Sequence, residues 1–437
     1  GNRFSVSSRP GIPWSTSSTP RRACRPTERP VTSPQGPVGW LGTPPGARWP
    51  VGSDALDADP NPFIRYRTML WSHHRAIEAG INDAAFLDIV RRLDDAVAEI
   101  DGNGFRHTPL VNLGTVGSAI GHTGHLTGKD ETGNVSGTHK ARHLFGLALH
   151  LEVDNAPTGT PLVIASCGNA ALAAAVVARA AHRPLTVHVP TWADAAVLAK
   201  LDDLGARVIV CERRLDEVGD PCVLRSRELV ADGAVPFTCQ GTENLMTIDG
   251  GRTLGFELAS DLAGTAGPGV ETCRLFIQVG GGALASSTVQ ALAEAADLGV
   301  LADRPTLYAV QSEGCAPLDR AFRLVAQLDD PLTAVTSTDD SDVMWPWDDP
   351  GSLATGILDD IVYDWQPIVA AMLEDGGSPV VATEAEVAEA HRLVRDHTGV
   401  PADPTGTAGL AGLLAARRQG MVGDDDTVMV LLTGVER

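Results

Sequence analysis

The sequence predicts an α/β protein with two domains, each built on a mostly parallel sheet that is flanked by helices. Its 437 residues are too many for one small core, so two domains and a tail are expected. Short apolar runs alternate with helical stretches of about ten to fifteen residues, which is the spacing of parallel βαβ units. These two observations, length and alternation, carry the prediction.

The composition excludes several classes of protein. With 55 acidic and 34 basic residues the formal net charge is −21, which argues against nucleic acid as a partner. No apolar run approaches the roughly 18 residues that a membrane-spanning helix requires, so no membrane association is expected. The seven cysteines form no C-x-x-C pair. Neither a disulfide framework nor a metal site is therefore expected, and a cytoplasmic location is favoured.

Residues 1–57 are expected to form a disordered extension that is rich in Pro, Arg and Ser. Ten of the 29 prolines lie within residues 1–50, together with seven Arg and one Glu. Such a segment cannot bury enough apolar surface to order itself. An organelle transit peptide is the alternative, but proline at this density opposes the amphipathic helix that such peptides form.

The regular elements follow in chain order. Residues 83–100 show helical periodicity, with Phe86, Ile89, Val90, Leu93 and Val97 on one face. Six apolar stretches are expected to contain strands, and the first three of them are each followed by a helix: 162–166, 186–190, 207–211, 275–282, 306–313 and 427–434. Open α/β sheets bind ligands beyond the carboxyl ends of their strands, so the residues after each strand are the candidates for function.

The first distinctive junction is "ASCGNAALAAA" at residues 165–175. Here a strand turns at Gly168 into a helix, whose unpaired N–H groups favour an anion such as a substrate carboxylate. Asn169 as an ordinary helix cap is the alternative. Cys167 is a candidate nucleophile, but no His lies near it in sequence, and a small buried Cys at a strand end is commoner.

Two further junctions carry glycine and threonine. Gly280, Gly281 and Gly282 follow an apolar strand and precede a helix, so their amides form a nest that suits phosphate. The pattern matches neither G-x-G-x-x-G nor a P-loop, which favours a phosphate monoester on a cofactor over ATP or NAD. A tight turn is the alternative. Thr433 ends the last strand and points into the crevice, unless it is simply a β-branched strand end.

Lys140 lies in "SGTHKARH", between a small polar turn and an apolar helix. A solvated surface lysine is the ordinary reading, but the inner end of such a turn removes water from the amine, as a nucleophilic lysine requires. A lysine, a glycine phosphate loop and an Asn at a helix start together predict pyridoxal phosphate as the cofactor.

At this point the sequence resembles the fold type II family of pyridoxal-phosphate enzymes, which includes threonine synthase, threonine and serine dehydratases and the tryptophan synthase β chain. The resemblance covers roughly residues 105–437 and rests on "NVSGTHKARH", "SCGNA", "GGGAL" and "LTG" in the family's order. Stretches such as "IDGGRTLGFEL" and "DPTGTAGLAGL" resemble threonine synthase-like members in particular. The resemblance implies a larger cofactor-binding domain of residues 58–140 plus 235–437 and a smaller α/β domain of residues 141–234.

The resemblance also implies a role for each candidate residue. Lys140 is implied to form the Schiff base, His139 to contact the phosphate and Asn169 to bond the 3′ oxygen of the ring. The substrate is implied to contact Thr138, Ser166, Cys167 and Gly168, where Cys167 departs from the usual Ser, Ala or Thr. The remaining cofactor contacts are implied for Gly280, Gly281, Gly282 and Ala283 at the phosphate and for Thr433 at the pyridine nitrogen.

The chemistry implied is β-elimination, or β/γ-elimination with replacement, on a hydroxy or O-activated α-amino acid. The enzyme would be dehydratase-like or threonine synthase-like and act as a homodimer. Two alternatives stay open. One is a β-replacement synthase for a specialised amino acid, since His139 and Cys167 differ from the commonest patterns. The other is a non-catalytic homologue that binds the cofactor.

Overall fold

The computed structural model of the chain describes residues 39–52, 54–215, 217, 219–264 and 273–436. The strands in these residues are β1 (Leu110–Asn112), β2 (Leu126–Asp130), β3 (Leu162–Ala165), β4 (Leu185–Pro190), β5 (Arg207–Cys211), β6 (Val235–Pro236), β7 (Arg274–Gln278), β8 (Thr306–Ser312), β9 (Ser378–Ala382) and β10 (Val428–Leu432). Each of the six predicted strand stretches overlaps one of them, and β4 and β7 begin one residue earlier than predicted.

The helices flank these strands. In chain order they are α1 (Pro62–Arg65), α2 (Trp71–Glu78), α3 (Asp83–Asp101), α4 (Gly114–Ala119), α5 (Lys140–Val153), α6 (Asn169–Ala180), α7 (Ala195–Asp203), α8 (Pro221–Ala231), α9 (Thr247–Gly264), α10 (Ala283–Asp297), α11 (Pro317–Val325), α12 (Pro331–Ser337), α13 (Asp340–Val343), α14 (Trp365–Asp375), α15 (Glu384–His397) and α16 (Ala408–Arg418). None of the helices in the described ranges is both long and apolar enough to span a membrane.

Two sheets confirm the predicted α/β class. The larger has the strand order β1-β2-β10-β7-β8-β9, in which only the β1–β2 pair is antiparallel. The smaller has the order β5-β4-β3-β6 and is parallel throughout. Because β6 pairs with β3, the smaller sheet extends to residue 236, beyond residue 234, where the sequence places the end of the smaller domain.

The smaller sheet shares a core with two central helices within one compact unit, residues 36–437. One cluster of buried apolar side chains joins Leu162 and Val187 of the smaller sheet to Phe145 on α5 and Phe256 on α9. The helix α5 lies in the middle of this cluster and is buried on almost all sides. Helices that are apolar all round occur in the centre of a large core, which gives the amino end of α5 a fixed position.

Residues 39–57 differ from the expected disordered extension where the structure describes them. Leu41 is buried, and its N–H donates to Oε1 of Gln290 at 2.8 Å. Gln290 in turn donates to the carbonyl oxygen of Gly39 at 3.0 Å. A polar side chain on α10 thus satisfies backbone groups of this segment, an interaction that composition does not reveal. Residues 1–38 of the predicted extension lie outside the described residues.

The carboxyl ends of β2, β10 and β7 lie at one edge of the larger sheet. Leu432 at the end of β10 pairs in register with Asp130 at the end of β2, and β7 runs parallel to β10 on its other side. The chain leaves β2 toward Lys140 and leaves β10 at Thr433. The crevice predicted from the parallel topology is therefore bordered by the junctions that the sequence singles out.

Candidate active site

The turn before Lys140 has an unusual backbone. Ser136 has φ of 55° and Gly137 has φ of 60°, and a Cβ on Gly137 would collide with Val435. The N–H of Ser136 donates to Asp101 at 3.0 Å, and this hydrogen bond stabilises the conformation. The turn ends where the N–H of Lys140 donates to Oγ1 of Thr138 at 3.3 Å. Lys140 is the first residue of α5 and is half-buried.

The chain contains three lysines, and they occupy very different places. Lys129 is fully buried and pairs with Glu257 and Asp261, each at 2.9 Å. Lys200 lies exposed on α7. Lys140 alone of the three stands at the crevice, so it is the lysine that could hold an aldehyde cofactor.

His139 and Thr433 lie against each other beside Lys140. Nδ1 of His139 is 2.9 Å from Oγ1 of Thr433, and the backbone N–H of His139 donates to the same oxygen at 3.3 Å. Burial, reinforced by the charge of Lys140, holds the pKa of His139 well below its usual range, so the ring is neutral. His139 therefore contacts Thr433, the residue that is expected near the pyridine nitrogen. Its expected contact with the phosphate stays a prediction.

The junction after β3 carries Ser166, Cys167, Gly168 and Asn169. Asn169 is the first residue of α6, and Gly168 takes the cap position. The side chain of Asn169 lies near the end of β10, since Nδ2 is 3.3 Å from the place of a Cβ on Gly434. Ser166 accepts from the N–H of Gly168 at 3.5 Å, which keeps the hydroxyl at the start of the helix.

Asp403 is a residue of this region that the sequence analysis missed. Its carboxylate accepts from the N–H of Gly406 at 2.6 Å, and its backbone N–H donates to the carbonyl oxygen of Gly434 at 2.8 Å. Asp403 therefore holds the loop before α16 against the end of β10, next to Asn169. The motif "DPTGTAGL" contained it, but its partners are distant in sequence.

Burial raises the pKa of the Cys167 thiol, and the carboxylates of Asp220 and Asp359 act in the same direction. A thiol nucleophile needs the opposite shift, because the thiolate is the reactive form. The alternative reading of Cys167 as a small strand-end residue fits better.

The glycine loop, residues 280–282, is closely packed. A Cβ on Gly280 would lie 2.9 Å from Cα of Ile357, and one on Gly282 would lie 2.9 Å from Cγ1 of Val362. Gly282 has φ of 98° and directly precedes Ala283, the first residue of α10. A side chain on either glycine would fill the cradle at the amino end of this 15-residue helix, where N–H groups favour an anion.

A carboxyl group already lies in this cradle. Oδ2 of Asp359 is 2.5 Å from the place of a Cβ on Gly280, and the amide of Gly281 favours the charged form of this carboxyl group. The charge of Lys140 also favours the charged form of Asp359. The loop is thus an anion site next to the lysine, which fits a cofactor with an aldehyde and a phosphate. No sequence pattern identified Asp359.

The described residues bring most of the predicted site together. His139, next to Lys140 in the chain, contacts Thr433, and the side chain of Asn169 lies near Gly434. The glycine loop lies against Asp359, whose charged form is favoured by the charge of Lys140. In the part of the chain that the structure describes, no group of three or more His, Cys, Asp or Glu side chains could hold a metal ion.

Comparison with known proteins agrees with this geometry. The family described as "Pyridoxal-phosphate dependent enzyme" matches residues 103–434, which is more than half of the chain. The threonine synthase of Mycobacterium tuberculosis (strain H37Rv) is 27% identical over 328 residues, which cover 75% of this chain and 80% of that protein.

Solved structures share the fold. Maize serine racemase superposes with a TM-score of 0.59 at 18% identity and covers 80% of this chain and 93% of its own. The processed form of threonine deaminase isoform 2 from Solanum lycopersicum gives a TM-score of 0.59 at 15% identity and covers 82% of this chain and 91% of its own. At such low identity the likeness concerns the fold alone.

Proposed function

Because this chain belongs to the family of pyridoxal-phosphate dependent enzymes, we propose that it is a lyase that carries out β-elimination, or β/γ-elimination with replacement, on a hydroxy or O-activated α-amino acid. The observation that supports this most directly is the position of Lys140, which alone of the three lysines follows the turn that His139 links to Thr433. When bound, the cofactor withdraws electrons from the α carbon of the amino acid and so weakens its bond to the α proton.

The residues of the chain would hold the cofactor and the substrate. Lys140 supplies the amine that the cofactor aldehyde needs, and its Nζ is then the base that accepts the α proton. The amides of the glycine loop bind the phosphate. Ser166 and the N–H groups of Cys167 and Gly168 hold the substrate carboxylate at the start of α6.

Thr433 favours elimination over racemisation or transamination. A hydroxyl beside the pyridine nitrogen cannot keep that nitrogen protonated as a carboxylate would. His139, which contacts the hydroxyl, is itself neutral because of its burial. The pair thus offers a hydrogen bond without a charge, and the weaker electron withdrawal suits loss of a β leaving group.

The leaving group distinguishes a dehydratase-like reaction from a threonine synthase-like reaction. The similarity to threonine synthases supports an O-activated substrate, whereas the fold shared with threonine deaminase fits a free hydroxyl group. The activity measurement below includes both classes of substrate.

We further propose a cytoplasmic homodimer with a smaller domain of residues 141–236, which includes β6, and a larger one of residues 58–140 and 237–437. The six cysteines among the described residues carry free thiols, which fits a reducing compartment. Exposed large apolar side chains are frequent on and around α11 and α12, which fits an interface between subunits: Leu324, Leu328, Leu332, Trp345 and Leu353.

The decisive experiment identifies the attached lysine. Purified protein is incubated with pyridoxal phosphate, reduced with borohydride and digested, and the modified peptide is found by mass spectrometry. We expect label on the peptide that contains Lys140, loss of that label in Lys140→Ala, and full labelling in the matched control Lys200→Ala. Label on Lys200 alone, or none, would contradict the proposal.

Activity then decides the reaction. Serine, threonine and O-phosphohomoserine are supplied in turn, and keto acid, ammonia and phosphate are measured. Release of keto acid from serine or threonine supports the dehydratase reading, and release of phosphate with formation of threonine supports the threonine synthase reading. A protein that is labelled at Lys140 but converts none of the three would sink the proposed reaction and leave only cofactor binding.

A further inference from the structure

Asp359 occupies the anion position of the glycine loop. Its Oδ2 lies 2.5 Å from the place of a Cβ on Gly280, and Oδ1 lies 3.5 Å from the place of a Cβ on Gly281. The amide of Gly281 favours the charged form of this carboxyl group. A carboxyl group that lies against the amides of this loop occupies the space in which a phosphate would bind them.

Hydrogen bonds hold the chain around Asp359 to the glycine loop and to two other parts of the fold. We name residues 357–364 the Asp359 strap. The N–H of Asp364 donates to the carbonyl oxygen of Gly281 at 3.1 Å, and Oδ2 of Asp364 accepts from Gly241 at 3.1 Å. The thiol of Cys315 donates to the carbonyl oxygen of Asp359 at 3.2 Å. The position of Asp359 is therefore set by the backbone and does not depend on one mobile side chain.

The charges around Asp359 make it resemble an anionic ligand. Burial raises the pKa of Asp359, while Lys140 and the amide of Gly281 favour its charged form. In the proposed function, the amine of Lys140 binds the aldehyde of the cofactor and the amides of the glycine loop bind its phosphate. Two anions cannot share one N–H donor at close range without mutual repulsion.

We propose that the carboxylate of Asp359 competes with the phosphate of the cofactor for the glycine loop, so that loading requires the Asp359 strap to move away. This inference rests on the proposed function, because it takes the glycine loop as the phosphate site. It assigns to Asp359 control over how tightly the chain binds a phosphorylated cofactor.

The test uses a ligand that Lys140 cannot attach to. Pyridoxine 5′-phosphate carries the phosphate but no aldehyde, and its binding to the full chain is measured by calorimetry. We expect Asp359→Asn, which keeps the shape and removes the charge, to bind it on the order of tenfold more tightly than the wild type, equal to about 1.4 kcal/mol. Asp360→Asn, which makes the same change of net charge next door, is the matched control and should change the affinity far less.

Pyridoxine without a phosphate separates competition from a general effect. Its affinity should be the same in the wild type and in Asp359→Asn. Equal or weaker binding of pyridoxine 5′-phosphate by Asp359→Asn would overturn the competition and leave the proposed function intact. If neither protein bound the phosphorylated ligand, the glycine loop would not be the phosphate site, and both proposals would fail.

A second measurement needs no variant, in case Asp359→Asn does not fold. Hydrogen exchange of the wild type is followed with and without saturating pyridoxine 5′-phosphate. We expect faster exchange within the Asp359 strap, including the N–H of Asp364, because the bound phosphate displaces it. Unchanged or slower exchange in the strap with ligand bound would overturn the proposal.

Discussion

Oγ1 of Thr433 and Nδ1 of His139 lie 2.9 Å apart, and this contact joins the end of β10 to the turn that carries Lys140. Both residues are buried, with Thr433 3% exposed and His139 6% exposed. The position of the lysine at the crevice is therefore linked to a hydroxyl group at the far end of the chain.

Replacement of Thr433 by Val tests this link. Val keeps the shape but leaves Nδ1 of His139 buried without a partner, which costs about 1–3 kcal/mol of unfolding free energy. Urea unfolding measures this difference. Thr433→Ser keeps the hydroxyl and should be clearly more stable than Thr433→Val; two variants of equal stability would show that the hydrogen bond contributes little.

The close approach of α5 to α9 can be tested at Gly146. A Cβ at this position would lie 2.6 Å from both Cα and N of Gly250, and this backbone cannot move away cheaply. Gly146→Ala should therefore destabilise the fold by about 1–3 kcal/mol, although Ala alone favours a helix. Gly264→Ala at the end of α9, where nothing lies within 4 Å, is the helical control and should not destabilise. Equal thermal midpoints for both variants would contradict the tight crossing.

The sequence predicts those parts of the fold that local patterns determine. The parallel sheets were predicted from the apolar runs at β3, β4 and β5. The residues of the candidate site were selected from the turn signals after β3 and β7. β9 and β2 were missed, since β9 contains Pro379 and β2 contains Gly128 and Lys129, which do not read as buried strands.

Other features depend on contacts between distant parts of the chain. Lys129 is buried because Glu257 and Asp261 on α9 compensate its charge, and no local pattern reveals that pairing. Asp359 reaches the glycine loop only through the path of the Asp359 strap. The sequence therefore predicted which residues surround the crevice and missed the carboxylate that lies within it.

The buried ion pairs behind Lys140 predict a large effect at Arg142. Its guanidinium binds Glu131 at 2.8 and 2.9 Å and Glu257 at 2.7 Å, and all three side chains are inaccessible to solvent. Arg142→Met leaves both carboxylates buried without this partner and should cost about 3–5 kcal/mol of unfolding free energy.

The control for Arg142 is the same substitution in an exposed ion pair. Arg392 on α15 binds Glu389 and Asp396 at the surface, and Arg392→Met should leave the urea midpoint nearly unchanged. Similar losses at Arg142 and Arg392 would mean that the buried network does not hold the amino end of α5.

The stability of the fold should depend on pH through Asp364. This residue is 1% exposed, and burial raises its pKa from 3.8 to about 7, although the N–H groups of Gly241 and Thr242 donate to it. Its Oδ1 has no hydrogen-bond partner among the residues that the structure describes. Asp364 is thus a carboxyl group that folding keeps protonated at pH values where the unfolded chain has already lost the proton.

Proton linkage determines whether the stability of the fold rises or falls with pH. Between about pH 4 and pH 7 the folded protein binds the proton more tightly than the unfolded chain, so ionisation of Asp364 lowers the stability as the pH rises through this window. Asp364→Asn keeps an acceptor for Gly241 and cannot ionise. Relative to the wild type, the variant should therefore gain about 2 kcal/mol in unfolding free energy between pH 5 and pH 8, with no further gain at higher pH. Urea unfolding of both proteins without added cofactor measures this, and parallel curves over the range would show that Asp364 ionises as freely in the fold as in the unfolded chain.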